Sequence, residues 1–489
     1  MSQNSYKSAR RSALAPLESW FHSETKPAPR PSHHKTPASK PYSLFREFGL
    51  PPRPKKFDRV GFALSLLRAG AEIEHSLAVQ YLYAAYSISE TSSVRGNITA
   101  IAWKRDLRLV AREEMAHLVT VQNLLRALGA EPHLNRGPLH RNEHKLPLPF
   151  KLERLNKVSL GKFVLFESPG SNQILEDDMA EVEKIHKSLG NKFLRVGSIY
   201  AALYWLFMEN EEPGPDWPFA PEDVSEFKEQ YPRKYHLKKK DFVSVKKYTD
   251  KAATAKEWGI FESTTHVDGG SPRESALASL RWIMSQGEGP NAIEDSHFNR
   301  LLKMYREFKK TRARSLIMNV PDNPRIKGFE GGGETGKEEG ELIANPKSER
   351  WGVQFNLRYQ FMLLDILDSL NQSQRNMTKK RLMLARWSRE EMEFVKKIGQ
   401  MLPRMFLGRK AKQRAGAPFQ TVFLPETPVK RDRVRKQLLE ASSKCLAVLR
   451  NGRWAISTYT KDLPVAAIES SLLDAIARQD DEMRHALES

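Results

Sequence analysis

Glu114-Met115-Ala116-His117, together with Ala71-Glu72-Ile73-Glu74-His75 upstream, is the part of the sequence that decides the fold. A glutamate and a histidine three positions apart lie on one face of a helix, about one turn apart. One glutamate from a first helix and a Glu-x-x-His from a second form half of a di-metal carboxylate site in a four-helix bundle. The sequence therefore predicts that Glu74, Glu114 and His117 point inward as metal ligands.

The context of this motif supports the prediction, because the motif itself is common. About one match is expected by chance from the composition, and the chain has five: Glu72/His75, Glu114/His117, Glu183/His186, Glu294/His297 and Glu482/His485. Glu114 and His117 share a helix face with apolar residues such as Val121. A carboxylate on such a face is costly to bury unless it is paired or bound to metal.

A second group of candidate ligands follows a glycine-flanked break in the chain. Gln286-Gly287-Glu288-Gly289 contains a carboxylate between two glycines, and Glu294-x-x-His297 begins the next predicted helix. Glycines allow another group to approach the backbone closely. The alternative is a helix C-cap, followed by a carboxylate that stabilises the dipole of the next helix. The residues alone leave both interpretations open.

The single cysteine, Cys445, restricts both the kind of metal site and the compartment. Neither a disulfide within the chain nor a cysteine-based zinc or iron–sulfur site can form. Any metal must be held by Glu, Asp and His, and the composition favours the cytoplasm. The mitochondrion is the alternative, because Lys7, Arg10, Arg11 and several serines precede the first acidic residue, Glu18. The sequence predicts no membrane span.

The formal net charge is +20, which favours contact with anionic partners. The excess is scattered along the chain, however, so the composition argues against nucleic acid as the main partner. We interpret the charge as a basic solvated surface with basic tails.

The pattern along the chain predicts a mainly α protein in three parts. Residues 1–56 form a disordered basic arm, 57–425 a helical domain with a polar insertion at 211–270, and 426–489 a C-terminal helical extension. Residues 132–190 are predicted to be irregular, apart from a short stretch near 174–189. Helices are predicted at about 58–88, 100–128, 193–209, 271–286, 294–314, 354–371 and 379–401, with one or two more after 430.

The chain resembles the ferritin-like domain family named for iminophenyl-pyruvate dimer synthase. The resemblance covers about residues 58–425, with its signatures in the family's order. These signatures are Ala71-Glu72-Ile73-Glu74-His75 with Gln80-Tyr81-Leu82-Tyr83-Ala84-Ala85-Tyr86-Ser87, Glu114-Met115-Ala116-His117-Leu118, Glu167-Ser168-Pro169, Gln286-Gly287-Glu288-Gly289, Ser296-His297-Phe298 and Ala415-Gly416-Ala417-Pro418-Phe419.

The resemblance implies a ferritin-like helical bundle with a centre of two iron or manganese ions. By position, it implies these ligands: Glu74, Glu114, His117, Glu288 and His297. The family's third helix usually carries a further glutamate, in a Gly-Glu-aromatic-Tyr sequence, but this chain has Ser198 at that position. Three alternatives follow: Glu294 substitutes for the missing ligand, the centre holds one metal, or it holds none.

Two functions from different classes are consistent with these features. The first is a di-metal oxidoreductase that acts with O2 on an aromatic or amino-acid-derived small molecule, with Tyr81 and Tyr200 lining its pocket. Core packing is the alternative role for both tyrosines. The second function is a non-catalytic ferritin-like module that binds a partner through its basic surface. A homodimer is left open, and iron storage ranks lower because the long insertions would obstruct a regular cage.

Overall fold

The computed structural model is mainly α-helical, as predicted. Apart from residues 50–51, the predicted arm over 1–56 lies outside the described residues. Within the described part of the chain, no β-strand forms and only isolated bridges such as Ile88–Ile317 occur. The structure describes residues 50–51, 58–89, 94–134, 136, 151–168, 178, 181, 184–185, 196–212, 217–219, 223–253, 271–286, 295–311, 313–327, 340–373, 379–408, 413–420, 424–425, 427–452, 454 and 465–488.

The described helices agree with most of the predicted ones. Short 3-10 turns occur at Arg233–Tyr235, Lys239–Asp241, Ala313–Leu316 and Leu402–Arg404. The α-helices are α1 (Arg59–Tyr86), α2 (Val94–Ala127), α3 (Lys157–Glu167), α4 (Val196–Phe207), α5 (Val224–Gln230), α6 (Val245–Lys251), α7 (Pro272–Gln286), α8 (His297–Lys310), α9 (Pro346–Asn371), α10 (Lys379–Met401), α11 (Pro428–Asn451) and α12 (Val465–Glu488).

Helices α1 and α2 form the centre of the fold and pack against each other along much of their length. The Asp58 side chain caps α1 by accepting a hydrogen bond from the Gly61 amide at 2.7 Å. Helix α2 ends before Gly129, which has φ of +76°, and the Ala130 amide donates back to the Leu125 carbonyl at 2.9 Å. This is the glycine-dependent stop that the sequence predicts.

The prediction that residues 132–190 are irregular outside 174–189 is wrong at α3. The Asn156 side chain accepts hydrogen bonds from the amides of Val158 and Ser159, and the Ser159 hydroxyl accepts one from the Asn156 amide. This reciprocal cap starts a helix of 11 residues. The prolines around this region exclude long helices, but they leave room for a short capped one.

Helices α1, α2, α7 and α4 pack in a ring, each against the next, and form a four-helix bundle. Helix α3 packs against α8, and these two contact the ring through α4 and α2 respectively. The C-terminal end of α3 and the N-terminal end of α8 therefore lie near the middle of α1 and α2. This arrangement brings together residues that are far apart in the sequence.

A second group of four helices, α9 to α12, is called here the C-terminal helix group. Arg358 of α9 is fully buried and contacts all three other helices. Its Nη1 lies 3.1 Å from Glu391 Oε1 of α10 and 2.7 Å from Asp480 Oδ1 of α12, and its Nη2 donates to Ser442 Oγ of α11 at 2.9 Å. One guanidinium thus connects the whole group. The predicted boundary at 425/426 stays a prediction.

The two helical parts are joined by buried polar contacts as well as by apolar packing. His75 Nε2 of α1 lies 2.5 Å from the Tyr359 hydroxyl of α9. The Arg126 guanidinium of α2 donates to the Leu370 carbonyl at 3.0 Å. Within the described residues, no helix has both the length and the apolar composition needed to cross a membrane.

Candidate metal centre

Five acidic and histidine side chains from four helices meet in the core, and we call them the Glu/His cluster. Each is at most 3% exposed. One nitrogen or oxygen atom from each of Glu114, His117 and His297 lies within 4.8 Å of the others, which is the spacing of metal ligands. The members of the cluster are Glu74 of α1, Glu114 and His117 of α2, Glu167 at the end of α3, and His297 at the start of α8.

Glu114 lies between the two imidazole rings. Its Oε1 is 2.8 Å from His297 Nδ1, and its Oε2 is 3.4 Å from His117 Nδ1. The ring centroids are 5.4 Å apart. A carboxylate placed with one oxygen toward each ring can bridge two metal ions.

The two other carboxylates lie on opposite sides of Glu114. Glu74 Oε2 is 3.5 Å from His117 Nδ1, and Glu167 Oε2 is 3.4 Å from His297 Nδ1. The cluster therefore has two similar halves, each with one imidazole, one carboxylate of its own and one oxygen of Glu114. Hard carboxylate oxygens with imidazole nitrogens are a ligand set suited to iron or manganese.

Two tyrosines, both predicted to line a pocket, contact the outer carboxylates of the cluster, which are those of Glu74 and Glu167. The Tyr200 hydroxyl donates to Glu74 Oε1, and the Tyr81 hydroxyl donates to Glu167 Oε1. Gly70 leaves room for Tyr200, since an added Cβ would lie 3.2 Å from its hydroxyl oxygen. Each outer carboxylate thus has one oxygen held by a tyrosine and the other directed into the cluster.

The unpaired atoms of the cluster fit bound cations. Glu74 Oε2, Glu114 Oε1 and Glu167 Oε2 are buried, and so is Nδ1 of His297. None of these atoms has an aligned hydrogen bond from a described residue. No described lysine or arginine lies within 4.0 Å of the three carboxylates. Buried carboxylates without compensation are strongly unfavourable, so the cluster requires positive charge.

Burial and the neighbouring charges also determine how the side chains of the cluster are protonated. Burial and the neighbouring Glu114 carboxylate raise the pKa of Glu74 to about 8. Burial alone would lower the pKa of His117, but its contacts with Glu114 and Glu74 raise it to about 10. Protons in the cluster therefore occupy sites that metal ions would take, and metal binding must release them.

The predicted ligands Glu288 and Glu294, and the other Glu-x-x-His matches, lie outside the described residues or away from the cluster. Glu288 and Glu294 are outside the described residues, as are Glu183 and His186. Glu72 points away from the cluster, with its Oε1 2.8 Å from His133 Nε2. Glu482 pairs with Arg386 in the C-terminal helix group. The ligand roles of Glu74, Glu114, His117 and His297 stay predictions, although the structure brings these four side chains together.

Glu167 is the residue that sequence reasoning missed. It is part of the Glu167-Ser168-Pro169 signature, but it belongs to no Glu-x-x-His motif, and its helix was not predicted. Ser198, which stands where the family usually has a glutamate, is buried, and its hydroxyl has no described hydrogen-bond partner. Glu167 brings a carboxylate to the half of the cluster that contains His297.

The two tyrosine contacts lead to a testable prediction. Tyr81→Phe should weaken the binding of a metal ion beside His297, and Tyr200→Phe should weaken the binding of an ion beside His117. Each substitution removes the group that orients an outer carboxylate. Loss of such an outer contact typically lowers metal affinity by about 10–100-fold. Metal titration of the purified variants measures this effect. Tyr83→Phe is the matched control, because the Tyr83 hydroxyl donates to the Pro321 carbonyl instead; equal weakening in all three variants would contradict the prediction.

Residues 67–306 match the family model described as Ferritin-like. The chain is 27% identical over 305 residues to 2-imino-3-(indol-3-yl)propanoate dimerase of Chromobacterium violaceum, covering 56% of this chain and 25% of that protein. It is 25% identical over 345 residues to dichlorochromopyrrolate synthase of Lentzea aerocolonigenes, covering 62% and 30%.

The chain thus spans less than a third of the length of these curated relatives. No solved structure matches it significantly. The family match includes Glu74, Glu114, His117, Glu167 and His297, and the predicted resemblance is confirmed. The match over residues 67–306 therefore identifies a ferritin-like domain in this chain.

Proposed function

We propose that this protein is a non-haem di-metal oxidoreductase. It uses two iron or manganese ions and O2 to oxidise an aromatic or amino-acid-derived small molecule. The observation that carries the proposal is the position of Glu114, which has one oxygen toward His117 and the other toward His297.

Each residue of the Glu/His cluster has a role in this proposal. Glu74 and His117 would hold one ion, Glu167 and His297 would hold the other, and Glu114 would be a ligand shared by both. When bound, the two ions supply the electron transfer between the organic substrate and O2. Tyr81 and Tyr200 orient the outer carboxylates, and the surrounding apolar core keeps water away from the ligands.

The relatives narrow the substrate class. One relative is named as a dimerase of an imino acid that carries an indole ring, and the other as a synthase of a chlorinated chromopyrrolate. We therefore propose an imine derived from an aromatic amino acid as the first substrate to test.

Metal analysis and O2 uptake test the proposal together. The apoprotein is loaded anaerobically with ferrous iron or manganese, desalted and analysed for metal per chain. We expect two ions per chain. O2 consumption should follow when an aromatic imine is formed in situ from ammonium and the 2-oxo acid that corresponds to tryptophan or phenylalanine, and it should be absent with the imine formed from ammonium and pyruvate. Folded wild-type protein that stays metal-free after loading would overturn the proposal.

A second candidate, a non-catalytic binding module, is favoured by the exposed basic residues of the predicted insertion. Arg233, Lys234, Lys246, Lys247 and the run from Lys238 to Lys240 are all exposed. Such a cluster attracts polyanions in a salt-dependent way. A mobility shift with RNA or DNA that weakens as salt rises, in wild-type protein that binds no metal, would support this candidate over the oxidoreductase.

A further inference from the structure

The outer nitrogens of the two imidazoles in the Glu/His cluster face chemically different groups. His117 Nε2 lies 3.0 Å from the side-chain oxygen of Gln286, the last residue of α7. His297 Nε2 lies 3.1 Å from Glu113 Oε2 of α2. Each outer nitrogen faces an oxygen atom, while each Nδ1 faces the carboxylates of the cluster. The His117 ring therefore lies beside a neutral amide, and the His297 ring lies beside a carboxylate.

Glu113 is held in place from its outer side. Its Oε2 lies 2.5 Å from Arg300 Nη1. Arg300 in turn donates to both carboxylate oxygens of Asp295, at 2.8 and 2.9 Å. Glu113 and His297 are buried, whereas Asp295 is exposed. A chain of charged contacts thus runs from the surface to His297, and the salt bridge to Arg300 fixes the position of Glu113 beside the ring.

A carboxylate beside the outer nitrogen of an imidazole makes the other nitrogen a stronger metal ligand, and it also fixes the ring orientation. An amide oxygen fixes the orientation without contributing a full negative charge. The distances to Glu114 also distinguish the two halves, because Glu114 is 2.8 Å from His297 and 3.4 Å from His117. The half of the cluster around His297 is therefore the more electron-rich and the more compact half.

We infer that Glu113 and Gln286 are positioning residues that make the two metal positions unequal, with the tighter position beside His297. This inference rests on the proposed function, since it requires that the Glu/His cluster binds two ions. It assigns a role to two residues that are not themselves ligands. It also predicts an order of loading, in which the position beside His297 fills first.

Cobalt(II) titration of the full-length apoprotein tests the inference, because the visible absorption of bound cobalt reports each binding step. Wild-type protein should bind two ions in two separate steps. Glu113→Gln should weaken the first step by about 10–100-fold and change its absorption spectrum, while the second step is unchanged. Gln286→Glu should strengthen the second step, so that the two steps approach each other. His297→Ala should remove the first step, and His117→Ala the second.

Glu72→Gln is the matched control. It also replaces a buried glutamate that contacts a histidine, His133, but it lies outside the cluster. It should leave both cobalt steps and both spectra unchanged. If Glu113→Gln does not fold, Gln286→Glu still tests the inference through the second step.

The outcomes separate the inference from the proposed function. Wild-type protein that binds no cobalt would overturn both. Two ions bound with equal affinity, and unaffected by Glu113→Gln and Gln286→Glu, would overturn the inference and leave the di-metal proposal standing. Two unequal steps that respond to Glu113→Gln but not to Glu72→Gln would support the inference.

Discussion

The Glu114→Ala protein is expected to bind neither metal ion, whereas Glu74→Ala and Glu167→Ala should each lose one of the two. Glu114 is the carboxylate that faces both imidazoles, while Glu74 and Glu167 each lie beside a single imidazole. Removal of Glu114 therefore takes a ligand from both positions at once. Metal analysis after anaerobic loading and desalting measures the number of ions that remain on each variant.

The control for this series is Glu72→Ala, on the same helix as Glu74 but facing His133. It should retain both ions. A Glu114→Ala protein that still holds two ions would show that Glu114 does not bridge. A Glu167→Ala protein with two ions would remove Glu167 from the ligand set.

The largest loss of stability is expected from Arg358→Met in the C-terminal helix group. The substitution leaves Glu391 and Asp480 buried without the guanidinium that both contact. Removal of one partner from a buried ion pair typically costs about 3–5 kcal/mol, because the charge left behind is not solvated. Urea unfolding followed by circular dichroism gives the change in the free energy of unfolding.

Arg450→Ala is the control for Arg358→Met. Arg450 also pairs with an aspartate, Asp474 at 2.8 Å, but both side chains are about half exposed. A pair on the surface typically contributes about 0–1 kcal/mol. If Arg358→Met and Arg450→Ala had similarly small effects, the buried contacts of Arg358 would not hold the C-terminal helix group together. The triple replacement of Arg358, Glu391 and Asp480 by apolar residues should recover much of the loss.

The helices were predictable where local chemistry determines their ends. Asp58 caps α1, and Gly129 stops α2, as their residue types suggest. Ser271 and Glu274 form a capping box at the start of α7, with each backbone amide 3.2 to 3.3 Å from the other's side chain. These contacts span only a few residues, so the sequence contains all the information they need.

The composition of the Glu/His cluster was only partly predictable, because it depends on contacts between distant segments. Glu74, Glu114 and His117 share faces of long helices with apolar residues, and this pattern can be read from the sequence. Glu167 ends a short helix in a proline-rich region, and only the packing of α3 against α8 brings it to His297. Likewise, the pairing of Arg358 with α10 and α12 leaves no local pattern in the sequence.

The route by which the centre is assembled follows from where its members lie along the chain. Glu74 is in the first described helix, and His297 is in the eighth, so the ribosome must synthesise the chain beyond α8 before both halves can exist. If the cluster binds metal ions as proposed, their insertion is therefore a late event in biosynthesis. Until then, protons shared among the carboxylates and imidazoles must balance the charge. Expression in metal-poor medium should consequently give folded protein that takes up its ions afterwards.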